Sequence, residues 1–175
     1  HSMAYDRARH VTVLYGGSSG PSETWEWDGT TWTNRAVTGP SGRWGHAMAY
    51  DSTRGVIVLF GGVDSSFNDL GDAWEWDGAE WQRRETAIPS PRRWHAMAYD
   101  AARGVTVLFG GYDKIRFLGD TWEWDGRSWA LGGSLTPPNL WFHAMSYDQR
   151  REVTVLFGGS SDDPLPSDDT WEWTG

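Results

Sequence analysis

The stretch Asp72-Ala-Trp-Glu-Trp-Asp-Gly78 is one of four versions of a single text. The others are Thr24-Trp-Glu-Trp-Asp-Gly29, Asp120-Thr-Trp-Glu-Trp-Asp-Gly126 and Asp169-Thr-Trp-Glu-Trp-Thr-Gly175, so a unit recurs about every 48 residues. A period of that length, filled with short strand-like runs and Gly turns, predicts an array of small sheets and not one irregular core.

Working outward from this stretch, each unit reads as four short strands, A to D. Strand A is His46-Ala-Met-Ala-Tyr-Asp51, repeated as His1-Ser-Met-Ala-Tyr-Asp6, His95-Ala-Met-Ala-Tyr-Asp100 and His143-Ala-Met-Ser-Tyr-Asp148. Alternation puts His, Met and Tyr on one face and small residues on the other, as a strand crowded near a common axis needs. An Asp-led turn follows, closed by Gly55 and Gly104 but by His10 and Glu152 in the outer units, where strain is expected. Strand B, Val56-Ile-Val-Leu-Phe60 and its equivalents, is β-branched and aromatic throughout and ends in a Gly pair, which predicts burial on both faces. Strand C is the Trp-Glu-Trp stretch. Its Asp-Gly reads as a tight turn into a short strand D holding Trp32, Trp81 or Trp129.

Four-stranded antiparallel units too small to hide their own apolar faces are stable when they pack face to face around a centre, which predicts an all-β propeller. The 14 Trp and 22 Gly fall mostly at fixed repeat positions and are architectural on this reading. One domain is expected over 1–175, with repeats at about 1–45, 46–94, 95–142 and 143–175.

The unit resembles the kelch repeat, with a hydrophobic strand ending in Gly61-Gly62, then an aromatic residue and a Trp at Trp76 and Trp81. Arg43-Trp-Gly-His46 is similar to the opening of many kelch strands. This sequence departs from the kelch pattern in its Trp pairs, such as Trp25 and Trp27, in its short C–D turn, and in a fourth unit that stops after strand C. The resemblance implies a binding or assembly module. Three arrangements follow: a compact four-bladed ring with a three-stranded last blade, which is preferred; a homodimer sharing eight blades; or part of a longer repeat array.

The net charge of −9 argues against nucleic acid, whose phosphates need clustered Lys and Arg. No apolar run is long enough to span a bilayer, so membrane insertion is not expected. With no Cys, thiolate chemistry is excluded, and so is the copper chemistry with a Cys-linked Tyr known on some kelch propellers. No cofactor is expected. The compartment is left open, an extracellular or cell-surface setting being preferred.

Because strands alternate in direction, B–C and D–A connections share one face of the disc and the near-identical turns share the other. The B–C segments diverge, and binding residues concentrate on divergent loops held by a rigid scaffold. The candidate ligand-binding residues are therefore Asp64, Phe67, Asp69, Tyr112, Lys114, Arg116 and Phe117, with Asp162 and Asp163 in the fourth unit. The D–A segments add Trp44, Arg84, Arg93, Trp94 and Trp141.

Two residue types that carry chemistry repeat at fixed positions. A ring of His1, His46, His95 and His143 is a metal candidate, but strand A side chains project between blades, so each His is expected to hydrogen-bond the backbone of a neighbouring blade. Glu26, Glu75, Glu123 and Glu172 repeat too regularly to approach one another as a hydrolytic pair and are expected to be solvated or Arg-paired. The expectation is a non-catalytic module presenting its loop face to a protein partner. The alternatives are a carbohydrate-binding propeller and the scaffold portion of a larger secreted enzyme.

Overall fold

A computed structural model describes residues 1–17, 23–85, 88–133, 137–161 and 167–175, and among them no helix occurs. Blade 1 comprises β1 (Ser2–Asp6), β2 (Val11–Tyr15), β3 (Thr24–Trp27) and β4 (Trp32–Asn34). Blade 2 follows as β5 (Ala47–Asp51), β6 (Val56–Phe60), β7 (Ala73–Trp76) and β8 (Trp81–Arg84). Blade 3 is β9 (Ala96–Asp100), β10 (Val105–Tyr112), β11 (Phe117–Trp124) and β12 (Trp129–Leu131). Blade 4 has three strands, β13 (Ala144–Asp148), β14 (Val153–Phe157) and β15 (Thr170–Trp173). Every sheet is an antiparallel meander, and together they form a β-propeller arrangement of four blades.

The alternation of strand residues decides how blades stack. One face of blade 2 places Met48, Ile57, Leu59, Trp76 and Trp81 against Ala4, Val13 and Tyr15 of blade 1. Its other face places Ala47, Ala49, Val58, Phe60 and Ala73 against Met97, Leu108, Trp124 and Trp129 of blade 3. Phe109 of blade 3 meets Leu156 and Met145 of blade 4 in the same way. Small residues on one side of strand A thus receive the large ones of the next blade.

The Gly pairs are where successive blades come closest. Gly62 donates its N–H to the Arg92 carbonyl at 2.8 Å, and Gly61 and Gly62 have φ of 67° and 98°. A Cβ on Gly61 would sit 2.6 Å from the Arg92 carbonyl oxygen, so only Gly fits.

The A–B turns form as the sequence predicts. Asp51 Oδ1 accepts the N–H groups of Thr53 and Arg54 at 3.0 Å, and Gly55 closes the turn with φ 69°. His10 and Glu152 adopt φ of 56° and 57° in the same place, which is the strain expected of residues with a Cβ. The C–D turn spans four residues, with Trp27 opposite Trp32 and Asp28 Oδ1 accepting from the N–H groups of Thr30 and Thr31.

The repeated carboxylates are Arg-paired. Glu26, buried, accepts from Arg9 Nη1 and Arg35 Nε at 2.6 Å, and Glu75 accepts from Arg54 Nη1 at 2.6 Å and Arg84 Nε at 2.8 Å. Burial pushes the Glu26 carboxyl up, but the hydrogen bonds from Arg9 and Arg35 outweigh it and hold the group below its ordinary value. Glu26 and Glu75 are thus enclosed and paired, whereas Glu172 is exposed. No helix among the described residues is long and apolar enough to cross a membrane.

Candidate functional site

The D–A segments run back toward the axis and bond to the B–C segment of the blade they enter, through the bridges Trp44–Val63, Arg93–Tyr112 and Trp141–Ser160. This brings the divergent loops and the D–A aromatics to one end of the axis, as the strand parity predicts.

There the side chains join into one aromatic sheet drawn from three blades. Trp94 is its hub, with ring centroids 5.8 Å from Trp44, 5.9 Å from Tyr112, 5.2 Å from Trp141 and 4.8 Å from Phe142. Phe117 stacks on Trp141 at 5.1 Å, and Phe67 meets the edge of Trp44 at 6.4 Å. The Arg93 guanidinium lies 4.5 Å from the Trp94 ring and 5.2 Å from Tyr112, a cation–π clamp holding the two together.

The backbone under this cluster is strained. The residues just before His46, His95 and His143 are Gly45, Trp94 and Phe142, with φ of 67°, 59° and 58°. Their backbones also bond in succession, Trp94 N–H to the Gly45 carbonyl at 2.7 Å and Phe142 N–H to the Trp94 carbonyl at 3.1 Å. Blade 2 fills this left-handed position with Gly, whereas blades 3 and 4 force aromatic residues into it. That costs roughly 1–3 kcal/mol at each.

The loops are held by their own carboxylates. Asp64 Oδ1 accepts from the N–H groups of Ser66 and Asn68 at 2.8 Å, which leaves Phe67 at the tip with φ 61° and 64% exposure. Asp113 turns the third-blade loop in the same way, leaving Lys114, Ile115 and Arg116 outward, with Arg116 Nε 3.7 Å from Asp113. Tyr112 donates its hydroxyl to the Lys114 carbonyl at 2.8 Å. Asp69 is covered and faces Arg93 Nη1 at 3.3 Å. Burial raises the Asp69 pKa, with Arg93 and Lys114 opposing.

Phe67, Tyr112, Phe117, Trp44, Trp94, Trp141 and Arg93 therefore come together as expected from the sequence, with Asp69 beneath and Lys114 and Arg116 at the rim. Arg84 does not join them: it ends β8 and is drawn to Glu75, beside an outer groove of about 500 Å³ that also touches Trp74 and Arg83. Asp162 and Asp163 lie outside the described residues. Phe142, 59% exposed, and Ile115, 87% exposed, belong to this face without having been singled out.

Beneath the aromatic sheet lies a cavity of about 270 Å³ lined by His46, His95, His143, Gly45, Trp94 and Phe142. The three imidazoles are 6–7% exposed and stand edge-on to Tyr15, Phe60 and Phe109 of the preceding blade at 5.9, 5.7 and 5.4 Å. Each faces the backbone of that same residue, but the hydrogen bond expected there is not made: among the described residues neither ring nitrogen of the three has a partner. Burial, with Arg43 adding to it, pushes the His46 pKa down to about 3, and burial brings His143 to about 4. Burial and then Arg92 take His95 well below its ordinary value. His1 is exposed and does not line this cavity, and among the described residues no group of three or more His, Cys, Asp or Glu side chains is placed to hold a metal ion. At the opposite end of the axis the four A strands line a second depression of about 390 Å³, with Met3, Met48, Met97 and Met145 in its wall.

No known family profile matches the chain, and no curated protein sequence matches it. Solved structures do. The structure of YjhT superposes with a TM-score of 0.81 at 16% identity, covering 98% of this chain and 61% of that one. The chain thus spans about three fifths of the length of its YjhT counterpart. At this identity the likeness shows the fold and nothing finer.

Proposed function

We propose that the chain is a kelch-type, non-catalytic binding propeller whose loop face takes an apolar segment of a protein partner. The observation that carries this reading is the left-handed backbone of Trp94 and Phe142 where blade 2 has Gly45. Stability is given up there to set aromatic rings in the mouth of the axis, and strain of this kind concentrates at ligand sites. Among the exposed side chains of this face, Phe67, Phe142 and Ile115 carry no polar group, which favours an apolar peptide loop over a sugar. Lys114 and Arg116 add a cationic rim that suits acidic flanks on that loop.

The test is a screen of the chain against peptide and glycan libraries, repeated with Phe67→Ala, Tyr112→Ala and Phe142→Gly. Peptide hits that weaken about 30-fold or more, the loss of a hot-spot contact, support the reading if the thermal midpoint moves by only a few degrees. Hits unaffected by these changes, or lost only when turn residues such as Asp28 are altered, refute it. Hits confined to glycans refute the partner class.

A further inference from the structure

The cavity of about 270 Å³ beneath the aromatic cluster is lined in pairs by three successive repeats: Gly45 with His46, Trp94 with His95 and Phe142 with His143. His46 and His95 are 6% exposed and His143 7%, yet among the described residues none of their ring nitrogens has a hydrogen-bond partner. A buried polar side chain ordinarily finds one. Three such imidazoles left without partners around one space point to a group that enters from outside.

The surroundings select its chemistry. Burial lowers the pKa of each His, and the facing backbone of Tyr15, Phe60 or Phe109 opposes it, as a carbonyl acceptor does. An acceptor on that side favours the tautomer that keeps its proton there and leaves a lone pair free, so the cavity asks for hydrogen-bond donors. A cation is disfavoured. The buried guanidiniums of Arg43 and Arg92 are near enough to lower His46 and His95 further, after burial, and Arg93 already holds the cation–π position 4.5 Å from the Trp94 ring. An anion gains nothing either, because it meets lone pairs. The two guanidiniums are already engaged by both oxygens of Asp72, at 2.6 and 2.8 Å, and of Asp120, at 2.7 and 2.9 Å. What remains is an uncharged donor, and a side-chain head group has room, since a water molecule takes about 30 Å³ in the liquid.

We infer that this three-histidine cavity is an anchor site for a primary carboxamide, supplied by an Asn or Gln side chain of the bound segment, an inference that rests on the loop face taking a protein partner. Trp94 and Phe142 belong both to the aromatic cluster and to the cavity wall, so an apolar segment seated on the cluster lies over the cavity. The carboxamide NH2 gives the imidazoles the donors they lack, and its burial is compensated only where those hydrogen bonds form. The apolar contacts of the face supply adhesion, and the cavity selects which segment is held.

NMR of the wild-type chain labelled at its histidine Cε1 carbons tests this near neutral pH, with propionamide, propionate and propylammonium as probes of similar size and different charge. His1 and His10 are exposed and act as internal controls, their signals identified by loss in His1→Gln and His10→Gln. The signals of His46, His95 and His143 should shift saturably with millimolar propionamide, and each charged probe should bind about tenfold or more weaker. A charged probe that matches propionamide overturns the inference, and so do three cavity signals that ignore propionamide. The loop-face reading is judged separately by its peptide screen. Propionamide binding without any peptide hit keeps this site and removes the protein partner, whereas peptide hits that leave the three signals unmoved keep the partner and remove this site.

Discussion

Lowering the pH from 7.5 to 5 should destabilise the fold through His46, His95 and His143. In the unfolded chain a His titrates near 6.5, whereas in the fold burial pushes His46 to about 3, His143 to about 4 and His95 well below 6.5. The folded value is depressed, so the neutral, buried form contributes full stability above about 6.5, and that stability is lost as the pH falls toward the folded value. At pH 5 the unfolded chain binds nearly one proton at each site and the native chain almost none, which costs roughly 2 kcal/mol per His and about 6 kcal/mol for the three. Set against a typical total stability of about 5–15 kcal/mol, that is enough to bring the domain near its unfolding point. For a chain of this length it corresponds to a fall in Tm of roughly 15 °C.

Urea melts followed by circular dichroism between pH 7.5 and 5 measure this directly. The slope should approach about 4 kcal/mol per pH unit near pH 5, since three protons are taken up on unfolding. Glu26, Asp72 and Asp120 also have lowered pKa values, each the balance of burial, which raises it, and Arg hydrogen bonds, which lower it further. Their losses set in chiefly below the His window. His95→Gln should remove about a third of the slope whatever it does to the overall stability. Stability that stays flat across this range would refute the account of three buried neutral imidazoles.

Two further changes follow from single departures between repeats. Trp81 donates its indole N–H to Thr24 Oγ1 at 2.8 Å, but Trp129 meets Ala73 at the equivalent place and its buried indole nitrogen has no partner. Ala73→Thr should restore the bond and stabilise the fold by about 1 kcal/mol in urea melts, a loss of stability instead showing that the hydroxyl does not fit. His10→Gly and Glu152→Gly, by relieving left-handed strain, should each raise stability by about 0.5–1 kcal/mol, whereas Gly55→Ala should lower it. Equal effects of the two kinds of change would show that the outer turns are not strained.

The fold was legible because its determinants are local and repeated. Continuous apolar text in strand B means two buried faces, the small residues of strand A mean a close neighbour, and Asp-Gly pairs mean turns; the first two can be checked four times in one chain and the third three times. The strain at His10 and Glu152 was legible for the same reason, since a repeat exposes the residue that breaks its own rule. Arg pairing of Glu26 and Glu75 was one of the two outcomes expected, but which residues supply it was not legible. Their Arg partners come from the A–B turn and from the D strand or the residue after it, and the Trp that donates to Glu26 lies 50 residues on, so no local pattern announces the network.

The same contrast governs the binding face. Trp44, Trp94 and Trp141 were visible as large residues in divergent connections, but neighbouring positions in the repeat alignment carried a sharper clue. Gly45, Trp94 and Phe142 are equivalent, and a backbone that one unit entrusts to Gly holds an aromatic ring in the next two. Seen alone, Phe142 is an apolar residue before a strand. Seen beside Gly45, it is a side chain kept against a conformational cost of roughly 1–3 kcal/mol, with 59% of its surface in water and no core burial in return. Its ring lies 4.8 Å from Trp94 and 4.6 Å from Trp141, so the strained backbone serves to build the aromatic cluster of the loop face, the face proposed above to take a partner.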